Sequence, residues 1–120
     1  MAANPSMPNP ELTLRTEKGA DRVAVHASGR ITSATADLLQ KTIRDLIPTT
    51  RHLVLDLSDV SYIDSSGIGA MVSVYLAAGK AHCEMFIANA QPRIRDLFEI
   101  TRLSTVFENR GGYRGLTPDS

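Results

Sequence analysis

The apolar positions of the chain fall into alternating and helical periods that lay out a hairpin, then helix, strand, helix, strand and helix. Leu12 and Leu14 alternate with Thr13 and Arg15, the period of a half-buried strand. Lys18-Gly19-Ala20-Asp21 reads as a turn. Val23, Val25 and Ala27 then alternate with Arg22, Ala24 and His26, the returning strand of a hairpin. Gly29 is expected to end that strand. Thr32 and Ser33 are candidate helix N-caps, because a hydroxyl accepts from the unpaired N–H groups of a first turn. Ala36, Leu39, Ile43 and Leu46 follow at helical spacing, and Pro48 stops that helix.

Leu53-Val54-Leu55-Asp56-Leu57 is nearly all apolar, which predicts a strand covered on both faces, as in a parallel sheet. A short loop and Tyr62-Ile63 lead to Asp64-Ser65-Ser66-Gly67. Ile68, Met71, Val72, Tyr75 and Leu76 fall at i, i+3, i+4, i+7 and i+8, a helical stripe expected to face the core over 65–79, with Gly79 as C-cap. Cys83 to Ala88 predicts another strand. Pro92 suits the first turn of a helix whose core face is Ile94, Leu97 and Phe98. Thr105-Val106-Phe107 is a candidate last edge strand.

Strands joined through helices require right-handed crossovers and a largely parallel sheet. The expectation is one α/β domain over 11–108, a mixed, mainly parallel sheet flanked by helices. Residues 1–10, with Pro5, Pro8 and Pro10, read as a flexible lead-in, and residues 109–120, with three glycines and a proline, as a flexible tail.

Composition narrows the function. The 120 residues suit one domain, and 42% hydrophobic content supplies a core. Thirteen basic residues cancel thirteen acidic ones, so the basic stripe that nucleic-acid binding needs is missing. No apolar run approaches the roughly 20 residues needed to cross a bilayer, and Met1 to Pro10 is no secretory signal. The one cysteine, Cys83, excludes an internal disulfide and suits a reducing cytoplasm.

The chemistry concentrates at Asp64-Ser65-Ser66-Gly67, where strand gives way to helix. Unpaired N–H groups at a helix start carry partial positive charge and favour an anion, including a phosphate carried by a serine. A phosphoserine brings roughly −1.5 to −2 charges to one spot. The same residues also serve simply as helix caps, and spacing alone leaves both roles open. Beyond them, Ser66, Ala70, Ser73 and Ala77 form a strip of small residues, and no charge occurs from Ser65 to Gly79. An ordinary solvated face carries Lys, Glu or Arg. Either a partner or another element of the same domain covers this strip.

The run Leu53-Val54-Leu55-Asp56-Leu57-Ser58-Asp59-Val60-Ser61-Tyr62-Ile63-Asp64-Ser65-Ser66-Gly67-Ile68-Gly69 resembles the signature of STAS domains, the sulfate-transporter and anti-sigma-antagonist family. The element order from about Leu12 to Glu108 is similar to that family as well. The resemblance implies a partner-switching protein rather than an enzyme. Unphosphorylated, it would bind an anti-sigma factor that is also a serine kinase and so free a sigma factor. The kinase would phosphorylate the first serine of D-S-S-G, here Ser65, and a PP2C-type phosphatase would reset it. Asp64, Ser66 and Gly67 would lie in the partner contact, with Arg30 and Thr32 of the neighbouring loop and Ala70 and Ser73 along the helix. No cofactor is implied, since ATP belongs to the partner kinase. One departure stands out. Where the bacterial antagonists often read G-x-[LI]-D, this chain has Gly29-Arg30-Ile31-Thr32, which removes a carboxylate and adds a cation. The family also implies an alternative, an accessory or scaffold subunit of a transporter or signalling assembly without the switch.

Other signals point to nothing further. A nucleophilic serine needs a base held by a third group, and the chain lacks G-x-S-x-G. His26, His52 and His82 read as surface or edge residues. His82 and Cys83 are adjacent and would point to opposite faces of a strand, which disfavours a metal site. Cys83, Met85 and Ile87 share one phase and read as core. Asp56, Asp59 and Asp64 suit turn and loop ends, and Arg93, Arg95 and Asp96 a solvated helix face. Phe107 and the small-residue strip are the candidate surfaces for a homo-oligomer.

Overall fold

The computed structural model describes residues 11–101. The chain forms β1 (Leu12–Lys18), β2 (Val23–Ile31), α1 (Ala36–Leu46), a 3-10 turn (Ile47–Thr49), β3 (His52–Ile63), α2 (Ser65–Lys80), β4 (Glu84–Ala88) and α3 (Pro92–Ile100). The sheet order is β1-β2-β3-β4. β1 pairs antiparallel with β2, whereas β2–β3 and β3–β4 are parallel. The expected single domain with a mixed, mainly parallel sheet is what forms. The candidate strand at Thr105–Phe107, the lead-in 1–10 and the tail 109–120 lie outside the described residues.

One continuous core joins the sheet to the helices. Leu53, Leu55 and Leu57 of β3, Leu39 and Ile43 of α1, Met71 and Val74 of α2 and Ile94 and Phe98 of α3 all belong to it. Each such side chain, fully buried, stabilises the fold by about 1.5–3 kcal/mol. The prediction that β3 is covered on both faces needs correction. Its buried Leu53, Leu55 and Leu57 alternate with half-buried Val54 and Asp56, so one face is sealed and the other is partly open.

Two strands run further than their sequence signals. β2 continues through Gly29 to Ile31 because Gly29 adopts φ 122°, and a Cβ there would run into the Glu11 carbonyl of the neighbouring chain segment. β3 absorbs the expected loop at 58–61 as two register shifts against β2. These bulges lift the end of β3 past the end of β4, and α3 packs there, with Gln91 Nε2 donating to the Ser58 carbonyl at 2.9 Å. Pro92 sits in the first turn of α3, as its spacing predicts.

Helix ends differ from expectation in two places. α1 begins at Ala36 rather than directly after Thr32-Ser33. Thr32 and Thr35 lace a tight turn first: Thr32 N–H donates to Thr35 Oγ1 at 2.9 Å, and that hydroxyl donates to the Arg30 carbonyl at 2.9 Å. α2 ends past Gly79. His82 takes the left-handed conformation (φ 61°) while its N–H donates to Gly79 O, and Cys83 N–H donates to Ala78 O. This is the Schellman closure, with histidine where glycine is usual.

Candidate functional site

The site is built where β2 and β3 deliver their ends to the start of α2. Asp64 N–H donates to the Ile31 carbonyl at 3.2 Å, which ties the helix entry to β2. Asp64 then caps the helix, its Oδ1 accepting from Gly67 N–H at 3.0 Å. Ile68 N–H takes the Asp64 carbonyl at 2.9 Å, the first bond of the helix proper. The Ser65 and Ser66 N–H groups, at the first two helical positions, have no partner among the described residues. Both serine side chains are exposed. Ser65 therefore presents a hydroxyl to solvent at the positive end of a 16-residue helix.

Gly67 is fixed by packing. A Cβ there would press on the Ile31 carbonyl and side chain, so α2 meets β2 at closest approach at this point. Gly67 is buried, and it contributes to any contact through the backbone path it allows. Thr32 is also buried, at 8% exposure, with its Oγ1 accepting from Ala34 N–H at 3.1 Å. Arg30 is exposed and stacks over the Tyr62 ring, with Cζ 4.8 Å from the centroid. The residue standing in the departure from the family pattern is thus held in a cation–π pair at the rim. Tyr62, 42% exposed, escaped the sequence reasoning, because only the parallel pairing of Arg30 with Tyr62 brings the two together.

The expected orientation of α2 holds for Met71 and Tyr75 and for Ile68, which packs on the core, but not for Leu76 or for the small-residue strip. The buried positions of α2 are Gly67, Ala70, Met71, Val74, Tyr75 and Ala78. Of the expected stripe, Met71 and Tyr75 are buried, Ile68 and Val72 are only half-buried and Leu76 is 45% exposed. Ala70, at 2% exposure, lies inside and presents nothing to a partner. Ser73 and Ala77 are half-buried, and α1 covers this side: Arg44 Nη2 donates to Ser73 Oγ at 2.7 Å and Ser73 reaches Gln40 Oε1 at 3.4 Å. Of the small-residue strip, only Ser66 remains exposed. The reason is steric. Small side chains let α2 seat closely on β2 and α1, which leaves Leu76 outward with Val72 beside it, while Ile68 packs against the edge of the core. The exposed line of α2 therefore runs Ser65, Gly69 and Leu76, flanked by Val72. A Cβ at Gly69 would meet nothing within 4 Å among the described residues, so their packing does not require that glycine.

The remaining candidates stay apart from this rim. No group of three or more metal-ligating side chains could hold an ion among the described residues. Burial pushes the Cys83 thiol up, with Glu84 adding to the effect, and the residue is core, as its phase predicts. No described helix is long and apolar enough to cross a membrane.

With the geometry in place, known proteins give it a context. The STAS domain model matches residues 11–113. An anti-sigma-B factor antagonist of Listeria monocytogenes is 30% identical over 94 residues, spanning 77% of this chain and 82% of that protein. Among solved structures, an anti-sigma factor antagonist from Mycobacterium paratuberculosis superposes with a TM-score of 0.78 at 25% identity, covering 94% of this chain and 93% of that one. The anti-sigma factor antagonist SpoIIAA in its unphosphorylated form shares the fold, with a TM-score of 0.71 at 15% identity over 89% and 90% of the two chains.

Proposed function

This chain belongs to the STAS domain family, and from that membership we propose that it is an anti-sigma-factor antagonist switched by phosphorylation of Ser65. The observation that carries the reading is the exposed Ser65 hydroxyl at the first position of α2, beside the Asp64 cap. The partner is an anti-sigma factor that is also a serine kinase. On its docked surface the Ser65 oxygen attacks the γ-phosphorus of ATP, ADP leaves, and the hydroxyl proton passes to a base of the kinase. The chain itself supplies the nucleophile and its placement.

The outer line of α2 supports the docking half of the reading. It carries no charge from Ser65 to Gly79, it exposes Leu76, and it holds a glycine that intramolecular packing leaves unexplained. A glycine in a helix interior costs roughly 0.5–1 kcal/mol relative to alanine. Close approach of a partner backbone accounts for it. Arg30 on Tyr62 marks the side of the contact and offers a cation to an acidic partner surface.

A phosphate on Ser65 is placed to accept from the N–H groups of the helix start, which have no partner among the described residues, and so is well tolerated by this chain. A partner seated on the same spot meets two negative charges and a bulky group, and dissociates. A PP2C-type phosphatase restores the hydroxyl. The test is incubation with the anti-sigma kinases of the same cell and ATP, followed by mass-spectrometric mapping. Phosphate on Ser65, and its loss in Ser65→Ala, is the expected result. Stable binding of an anti-sigma factor with no modification anywhere in 64–67 would remove the switch and leave the alternative of a non-switching scaffold.

A further inference from the structure

The half-open face of the sheet carries a polar chain that crosses all four strands and has no role in the Ser65 rim. His26, on β2, sits between two carboxylates from different strands. Its Nε2 lies 2.9 Å from Glu17 Oε1 of β1, and its Nδ1 lies 2.8 Å from Asp56 Oδ2 of β3. Asp56 Oδ1 in turn accepts from Ser58 N–H at 2.9 Å and from Asn89 Nδ2, just past β4, at 3.3 Å. Asn89 adopts a left-handed backbone (φ 62°), a conformation that asparagine tolerates in turns.

The arrangement fixes the protonation state by geometry. Both carboxylates are acceptors when ionised, and a neutral imidazole has one N–H to offer. Both contacts are satisfied together only when His26 is an imidazolium. The ring is 28% exposed and Asp56 14%, so solvent weakens but does not erase the pairing, whereas Glu17 at 68% stands largely in water.

We propose that His26 is a proton-operated clasp: protonated, it pins the edge strand β1 to β3 and braces the bulged end of β3, and on losing its ring proton it releases β1. The link to the bulge is covalent and short. Asp56 orients Ser58, whose carbonyl receives the Gln91 side chain at the start of α3. Other charged groups facing His26 are Arg15, its direct neighbour across the β1–β2 ladder, and Lys18 and Arg22, which line the same hollow of about 380 Å³. Farther along the face, His52 pairs with Glu84 at 3.2 Å.

The titration directions agree. The hydrogen bond to Glu17 and then that to Asp56 hold the His26 ring above its ordinary value, against partial burial and Arg15. Burial alone would raise the Asp56 carboxyl, but the bonds from Ser58, His26 and Asn89 together bring it below its ordinary value. A raised histidine contributes stability that is complete below the unfolded value of about 6.5 and fades as pH climbs through the higher folded value. A depressed aspartate contributes stability that is complete above about 3.9 and is lost as pH falls through the lower folded value. The clasp is therefore closed from the carboxylate range up to the raised value of the His26 ring, and opens as pH climbs through it.

The test uses the full chain and nitrogen-15 spectra of its three imidazoles across pH, with amide hydrogen exchange of β1 corrected for intrinsic rates. His26 is expected to keep both ring protons at a pH somewhat above about 6.5, the ordinary histidine value. Protection of the β1 amides should drop about threefold as the His26 ring titrates, the scale of one part-exposed ion pair. Glu17→Gln, a change on an exposed side chain, should lower the His26 midpoint, and His26→Gln should remove the pH step in β1 protection. A His26 midpoint at or below about 6.5, a midpoint unmoved by Glu17→Gln, or β1 protection that stays level through the ring titration overturns the clasp.

Discussion

α1 and α2 pack side by side on the same sheet, yet their outer faces differ in kind. α1 turns Asp37, Lys41, Arg44 and Asp45 to solvent and buries Leu39 and Ile43. That is the ordinary amphipathic solution for a helix whose outside meets only water. α2 buries glycine and alanine along with Met71, Val74 and Tyr75, and leaves Leu76, Val72 and Gly69 on an outside without charge until Lys80. The two helices pack against each other and against β2, and their outer faces are unequal: charged on α1, uncharged on α2. The two glycines of α2 sharpen the contrast. Gly67 is demanded by Ile31 within the chain, and Gly69, two residues on, is demanded by nothing among the described residues.

The largest effect should come from charge at the helix mouth. Ser65→Asp is expected to weaken binding to the anti-sigma factor by about a hundredfold, about 3 kcal/mol, while Ser65→Ala binds like wild type. Calorimetric titration of the two variants reads this directly, and equal affinities would break the contrast between the helices. Next comes Gly67→Ala, which forces a methyl against the Ile31 carbonyl. A loss of about 3 kcal/mol in urea denaturation is expected, and an unchanged midpoint would mean that α2 sits further from β2 than the structure has it.

Smaller effects discriminate inside from outside. Leu76→Lys should leave stability within about 0.5 kcal/mol but cost about tenfold in partner affinity. Lys41→Ala on α1, where the exposed pair to Asp45 spans 3.4 Å, should change neither by more than about 0.5 kcal/mol. Similar affinity losses at both positions would erase the distinction. Smallest is Gly69→Ala. It should raise stability by about 0.5–1 kcal/mol through helix propensity while weakening the complex. A variant that is more stable and binds equally well would show that no partner backbone approaches there.

Much of this was legible in the linear pattern. Alternation at 12–15 and 22–27, helical spacing at 36–46 and Pro92 before Ile94 each report local geometry, and each element formed where its pattern lies. The D-S-S-G segment was legible as well, since a cap needs only its own next three residues. Misreadings arose wherever the deciding contact was distant. The stripe Ile68, Val72 and Leu76 scored as core because a helix that is apolar nearly all round has no unique inner side by pattern alone. The side that met the sheet and α1 combines Gly67, Ala70 and Ala78 with Met71, Val74 and Tyr75. Loop residues 58–61 became strand because β2 offered hydrogen bonds to them.

What the sequence alone determined was the set of elements, the parallel order they require and a serine hydroxyl at a helix start, because each depends on neighbours within a few residues. Tertiary structure decided which side of α2 looks outward, that Arg30 lies on Tyr62, and that Glu17, His26, Asp56 and Asn89 line up across four strands. Those partners stand 9 to 33 residues apart along the chain for the histidine and aspartate contacts, and only strand register brings them within a hydrogen bond's length.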